Sequence, residues 1–204
     1  KSIPGSMHDY EDRILVDKIR HLYAVADGVT YSTQGKGAVA ADWAIKLLRK
    51  NFRNDITTAV QTVHREMVEM KRVDTTIGET TLTAANIHGK VLRIAYVGDS
   101  PAYLIRGENM IKIAGYSTFG LMHTIGYPEE IYVHSKKENL QTNDCLMLAS
   151  DGVMHVLNKN TILSLVRKSF NAKKIVEELI QKAEKYPSIY DDDKSLIVLK
   201  ILSL

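Results

Sequence analysis

Apolar positions follow two rhythms along this chain. Four short runs are apolar almost throughout and meet an acidic or glycine-containing turn. They are residues 21–26 into Asp27-Gly28, 91–97 into Gly98-Asp99, 145–150 into Asp151-Gly152, and 196–202 emerging from Asp191-Asp192-Asp193. Short β-branched or apolar runs bounded by glycine and aspartate predict buried strands. Elsewhere the period lengthens. Ala38, Ala41, Ile45 and Leu48 recur three to four residues apart within 37–50, and Ile56, Ala59, Val60, Val63, Met67 and Met70 do so in the next segment. Both read as amphipathic helices, with the methionines as core filler. A third helix is expected to begin near Asn160. A fourth covers 173–185, with Ile175, Val176, Leu179 and Ile180 on one face and Pro187 as its stop signal.

Residues 80–114 read as antiparallel strands turned by His88-Gly89-Lys90 and by Arg106-Gly107-Glu108-Asn109. Residues 115–130, with Gly115, Gly120, Gly126 and Pro128, have little periodicity and read as a short surface flap. Strands and helices come in groups and do not strictly alternate, which predicts an α+β layered domain. With 204 residues, one domain spanning 1–204 is expected.

Composition narrows the chemistry. The 27 basic and 24 acidic residues leave a net charge of +3 and are spread along the chain. No clustered basic patch predicts nucleic-acid binding. The single cysteine, Cys145, lies in the apolar run Cys145-Leu146-Met147-Leu148-Ala149, where it reads as an inert small hydrophobe, not a nucleophile. No run reaches the ~20 apolar residues of a membrane span and no secretory signal is seen, so a cytoplasmic protein without membrane association is expected. Seven histidines lack metal-ligand spacing and read mostly as surface or capping residues. A P-loop is absent, and Gly115-Tyr116-Ser117-Thr118-Phe119-Gly120 has the wrong spacing for a nucleophile elbow.

The acids are the informative residues. Glu11-Asp12 precede an apolar run, Asp27 and Asp151 each end one, and Asp191–Asp193 precede another. Strand ends gather at one edge of a sheet, so carboxylates placed there can converge from distant parts of the chain. Converging carboxylates repel and are costly to desolvate unless a cation sits among them. Oxygen ligands of this kind select Mg²⁺ or Mn²⁺. Any one Asp-Gly pair, taken alone, is more often a turn.

Read in order, the blocks Glu11-Asp12-Arg13, Ala24-Val25-Ala26-Asp27-Gly28-Val29, Glu79-Thr80-Thr81-Leu82, Val97-Gly98-Asp99-Ser100-Pro101-Ala102-Tyr103-Leu104, Leu148-Ala149-Ser150-Asp151-Gly152-Val153 and Asp192-Asp193-Lys194-Ser195-Leu196 resemble the type 2C metal-dependent Ser/Thr protein phosphatases, the PPM family. Val-Gly-Asp-Ser-x-Ala-Tyr-Leu is the most specific stretch. The resemblance covers almost the whole chain and implies two antiparallel sheets packed face to face with helices on both outer faces (αββα). It also implies two Mn²⁺ or Mg²⁺ ions and a third, weaker divalent cation. Asp27 would bridge the two ions, Asp151 and Asp192 would complete the first site, and Glu11 with the Gly28 carbonyl would serve the second. Asp12 would orient water, and Asp99 would belong to the third site. Water activated between the ions would attack a phosphoserine or phosphothreonine in line, so Asp27 and Asp12 are the catalytic expectations. The implied partners are a phosphoprotein substrate and a cognate Ser/Thr kinase, with the enzyme a monomer.

The chain departs from the family pattern at several positions. Met7 stands where the family carries a phosphate-binding arginine. Asp27-Gly28-Val29-Thr30-Tyr31 replaces Asp-Gly-x-Gly-Gly. His155 takes the place of an acid four residues after Asp151. Ala114-Gly115-Tyr116-Ser117-Thr118 lacks the usual Asp-His-Ser. The first three departures favour the rival reading, a non-catalytic module that binds a phosphoprotein partner or a regulatory ligand. Retention of every central carboxylate favours the enzyme.

Overall fold

The structure, a computed structural model, describes residues 1–6, 9–32, 34–116, 123–185 and 191–203. Among the described residues, ten strands form two antiparallel five-stranded sheets. One sheet runs in the order β2 (Arg13–Asp17), β3 (Leu22–Ala26), β4 (Leu82–His88), β5 (Val91–Val97) and β8 (His134–Asn139). The other runs β1 (Ser2–Ile3), β10 (Lys194–Lys200), β9 (Cys145–Ala149), β6 (Ala102–Arg106) and β7 (Asn109–Ala114). Helices α1 (Gly37–Asn51) and α2 (Ile56–Lys71) cover the first sheet. The one-turn α3 (Asp151–Met154), α4 (Lys159–Lys168) and α5 (Ala172–Lys185) lie against the second. The fold is therefore α+β, a four-layered sandwich.

Strand side chains alternate between faces, and here both faces are covered, which is why the strands read as continuous apolar runs. In β3, Leu22, Ala24 and Ala26 meet the α1/α2 layer, while Tyr23 and Val25 face the opposite sheet. In β9, Cys145, Met147 and Ala149 pack on the α4/α5 layer, and Leu146 and Leu148 fill the space between sheets.

Helix α1 is turned relative to its sequence pattern. Its buried face is Gly37, Ala40, Ala41, Ala44, Leu47 and Leu48, with Ile45 at the margin. The cause is at its first turn, where the Gly37 backbone packs directly against Gly28; a Cβ on Gly28 would lie 2.4 Å from the Gly37 carbonyl carbon. So close an approach selects the stripe of small residues. Helix α2 buries Ile56, Ala59, Val60, Val63 and Met67 as expected.

The flap at 115–130 divides. Residues 117–122 lie outside the described residues, as does Met7. The later part is buried only at its start: Thr124 and Ile125 are buried, and Ile125 pairs with Thr80 through main-chain hydrogen bonds of 2.8 and 3.2 Å, while residues 128–130 are exposed. The histidine reading also has an exception, because His64 on α2 is buried. Strand β8 escaped the sequence pattern because it is polar and mostly exposed at a sheet edge, where it pairs with β5. Among the described residues no helix is long and apolar enough to cross a membrane.

Cys145 is buried, and burial pushes its thiol up to about 12. Ellman's reagent should therefore leave the native protein unlabelled and titrate one thiol only after denaturation. Rapid labelling of folded protein would contradict the packing of β9 against α5.

Candidate functional site

Antiparallel pairing brings the acids together. Arg13 pairs with Ala26, so the start of β2 lies beside the end of β3, and Leu82 pairs with Val97, setting the start of β4 beside the end of β5. In the other sheet Leu196 pairs with Ala149, so the end of β9 meets the start of β10. Asp12, Asp27, Asp99, Asp151 and Asp192 are each one to three residues from one of these strand ends. All five come to one edge of the sandwich from distant parts of the chain.

Electrostatics record the convergence. Asp27 opens to solvent on one side but is closely surrounded on the others. Burial, followed by the negative charges of Asp12, Asp151, Asp192 and Asp99, raises its pKa well above the ordinary carboxylate value. Asp151 is raised by burial and by Asp192 and Asp99, an effect opposed by His155. Asp12 is 1% exposed, and burial pushes it up to about 7 against the pull of Ser150 and Ser195, with Asp193 and Asp192 adding to the rise. Those two hydroxyls lie beside Asp12 but are engaged elsewhere: Ser150 donates to the Asp193 carbonyl at 3.3 Å, and Ser195 pairs with Ser2. Neither forms a well-directed bond to the carboxylate. Both Asp12 oxygens and Asp151 Oδ1 are thus buried with no hydrogen-bond partner among the described residues.

The backbone around these acids is firmly held. The Asp27 carbonyl accepts from the Thr81 N–H and the Thr80 hydroxyl, both at 2.8 Å, and the Asp27 N–H donates to Thr81 Oγ1 at 3.1 Å. Thr81 in turn hydrogen-bonds Ser100 at 2.7 Å, which ties β4 to the loop carrying Asp99. Asp193, itself buried, accepts from the N–H groups of Gly5 at 2.7 Å, Glu11 at 2.6 Å and Asp12 at 3.1 Å. It thereby fixes the Glu11-Asp12 segment to the strand entry that carries Asp192. The Thr30 hydroxyl donates to Glu11 Oε2 at 2.6 Å, so one residue of the altered glycine loop touches a predicted site residue. His155 is 63% exposed, with Nδ1 3.9 Å from Asp151 Oδ2.

Gly28 and Gly152 are glycine for a reason visible in the packing. Both are sites of backbone crowding: a Cβ at Gly152 would meet the Asp193 carbonyl at 2.1 Å, as one at Gly28 would meet Gly37. Thr80, Thr81, Ser150, Asp193 and Ser195 lie within the resembling blocks, but the resemblance assigns them no role. Their signal in the sequence is polar residues at the ends of otherwise apolar strands.

The donor set suits a hard divalent cation: oxygens only, negatively charged, with buried lone pairs that nothing satisfies. Among the described residues, however, no three His, Cys, Asp or Glu side chains already stand in a geometry that could hold an ion.

Two expectations follow. Asp193→Asn replaces an acceptor of three N–H groups with a side chain that is half donor. It should lower unfolding free energy by about 1–3 kcal/mol, read by urea denaturation. The second concerns pH. Asp12, Asp27 and Asp151 all hold protons more tightly in the folded chain than at the ordinary value of 3.8. Without cations, the stability they contribute is fully present below that value and is lost as pH rises through the folded value, about 7 for Asp12. The melting temperature in EDTA should fall across that window, and a rising profile would mean that the acids are not crowded as described.

A family model described as stage II sporulation protein E (SpoIIE) matches residues 33–202. No curated protein matches the chain. Among solved structures, the PPM Ser-Thr phosphatase MsPP from Mycobacterium smegmatis, in complex with cacodylate, is 23% identical. That match covers 98% of this chain and 96% of that one, with a TM-score of 0.81. The catalytic domain of the serine threonine protein phosphatase PstP, in complex with two manganese ions, is 21% identical over 100% of this chain and 96% of its own, with a TM-score of 0.85. PppA, a key regulatory component of T6SS in Pseudomonas aeruginosa, is 18% identical over 97% and 94%, at 0.81. At these identities the likeness establishes the fold, which is that of the PPM phosphatases.

Proposed function

Because this chain belongs to the stage II sporulation protein E (SpoIIE) family, we propose that it is a metal-dependent protein phosphatase acting on phosphoserine and phosphothreonine. The observation that carries the reading is the crowding of Asp12, Asp151, Asp192 and Asp99 around Asp27, with buried carboxylate oxygens left unpartnered. Such an arrangement costs stability in an empty pocket and is relieved by positive charge. The manganese ions of the PstP structure make Mn²⁺ or Mg²⁺ the cations to test.

In this reading Asp27, Asp151 and Asp192 hold one ion, and Asp27, Glu11 and the Gly28 carbonyl hold the other. Asp99 serves a weaker third site. When bound, the cations would activate water near neutral pH and neutralise the phosphoryl oxygens. The chain's own part is positional. Thr80 and Thr81 fix the Asp27 backbone, Asp193 fixes that of Glu11 and Asp12, and Thr30 orients the Glu11 carboxylate. Asp12, with a pKa pushed up to about 7, is placed to accept or return a proton through water. A phosphorylated protein is the substrate class, a Ser/Thr kinase the counterpart, and the enzyme acts as a monomer in the cytoplasm.

The test is hydrolysis of p-nitrophenyl phosphate and a phosphothreonine peptide with Mn²⁺, with Mg²⁺ and with EDTA. Turnover should require the cation, and Asp27→Asn or Asp151→Asn should lower kcat by at least about 100-fold. Folded protein that binds Mn²⁺ by calorimetry but turns over neither substrate would replace this reading with that of a phosphoprotein-binding module.

A further inference from the structure

A buried charge pair stands next to the aspartate cluster without belonging to it. Lys71, the last residue of α2, meets Glu79, just before β4, at 3.5 Å, and the two side chains are 8% and 6% exposed. Taking two such charges out of water costs about as much as their attraction returns. What the pair supplies is therefore geometry: it fixes where the Glu79 carboxylate lies. Lys71 engages Oε1 of that carboxylate, and Oε2 accepts from the Thr124 hydroxyl at 2.7 Å, with Thr124 itself buried.

The Thr124 bond seats a short stretch of chain. The Ile125 N–H donates to the Thr80 carbonyl at 2.8 Å, and the Ile125 carbonyl accepts from the Thr80 N–H at 3.2 Å. Gly126 then turns with φ of +86°, and a Cβ there would lie 3.1 Å from the Gly78 carbonyl oxygen and 3.5 Å from Lys71 Cδ. Glycine alone takes that φ without strain and passes the backbone so closely. Residues 124–126 thus rest against Glu79, Thr80 and the stem of Lys71.

The same strip of chain holds the Asp27 turn on its other side. The Val29 N–H donates to the Glu79 carbonyl at 2.9 Å, and the Thr80 hydroxyl donates to the Asp27 carbonyl at 2.8 Å. Gly28 pairs with Thr80 as Thr80 pairs with Ile125. Beyond the ends of β3 and β4 the chain therefore adds a small ladder, with 79–80 between 28–29 and 124–125. Both main-chain groups of Thr80 are engaged by Ile125, so a shift of residues 124–126 would move Thr80 and loosen its hold on Asp27.

We propose that Glu79, fixed by Lys71, is a positioning residue for the cation site: by seating Thr124 it keeps Thr80 in register, and so keeps Asp27 and the Gly28 carbonyl placed to bind a divalent cation. The inference rests on the metal reading of the carboxylates given above. Lys71, Glu79 and Thr124 are not ligands in that reading and act only through Thr80.

The probe is Mn²⁺ alone, titrated into the protein with the free ion read by electron paramagnetic resonance, so that no turnover is needed. Thr124→Val removes the hydroxyl with little change of shape and leaves both charges paired. It should weaken Mn²⁺ binding by about fivefold, the order of one hydrogen bond, and Thr124→Ser should restore it to within about twofold. Lys71→Met with Glu79→Leu replaces the pair by apolar side chains, an exchange that proteins often tolerate without loss of stability. This double variant should weaken Mn²⁺ binding to a similar extent while unfolding in EDTA stays cooperative. By hydrogen exchange, the Thr80 and Ile125 amides should open about tenfold faster in both variants, with Ala84 in the middle of β4 unchanged. Unchanged Mn²⁺ affinity in either variant, or a loss in Thr124→Val that Thr124→Ser does not restore, would overturn the proposal and leave the pair a purely structural contact. A wild-type chain that binds no Mn²⁺ would instead overturn the cation reading, and the proposal with it.

Discussion

Asp193 joins the two ends of the chain. Its carboxylate accepts from three main-chain N–H groups, those of Gly5, Glu11 and Asp12, more than a hundred and eighty residues away in sequence. It stands at the entry of β10, so whatever positions that strand also positions the N-terminal acids. A buried carboxylate satisfied by backbone donors is rigid, because moving any one donor would leave a charge without a partner. The sandwich is closed in the same place. The start of β10 pairs with β1 on one side and β9 on the other, and Gly152 lets the Asp151 turn pack against the Asp193 carbonyl.

Around that clamp the fold works against ordinary electrostatics. Five aspartates meet at one edge of the sandwich, and three of them have their pKa values raised by burial and by one another. Such a cluster opposes folding at neutral pH, so the binding energy of the two sheets has to carry it. The intersheet core of Val25, Ile94, Leu104, Leu146 and Leu148, all 2% exposed or less, is the kind of packing that does so. Threonine and serine hydroxyls at the strand ends take up the main-chain groups near the acids. This fixes the backbone while leaving the carboxylate oxygens themselves available.

The resemblance to the PPM phosphatases was legible because its blocks are local. Asp27-Gly28, Gly98-Asp99 and Asp151-Gly152 each end an apolar run, and that is enough to locate a strand, a turn and an acid. The buried thiol and the helices at 37–50 and 173–185 were legible for the same reason, since apolar period is read over a few residues, whereas the two-sheet sandwich came only with the resemblance. Strand β8 was not, because a polar edge strand carries no burial pattern. The buried half of the flap was hidden too: Ile125 is held by Thr80, a partner that no local rule announces.

By itself, then, the sequence determined most of the strands and helices, though not the polar edge strand β8, and that carboxylates stand at the strand ends. Burial periodicity and turn chemistry act between near neighbours and are written locally. Only the tertiary structure decided which acids meet, that Asp193 binds the N-terminal segment while its neighbours face the site, and that α1 turns its small residues to the sheet. Each of these depends on contacts between residues far apart in the chain, and the physical reason is the same in every case. Ladder register and close backbone packing set which main-chain groups are used up and which remain to be satisfied, and neither is specified until the sheets have formed.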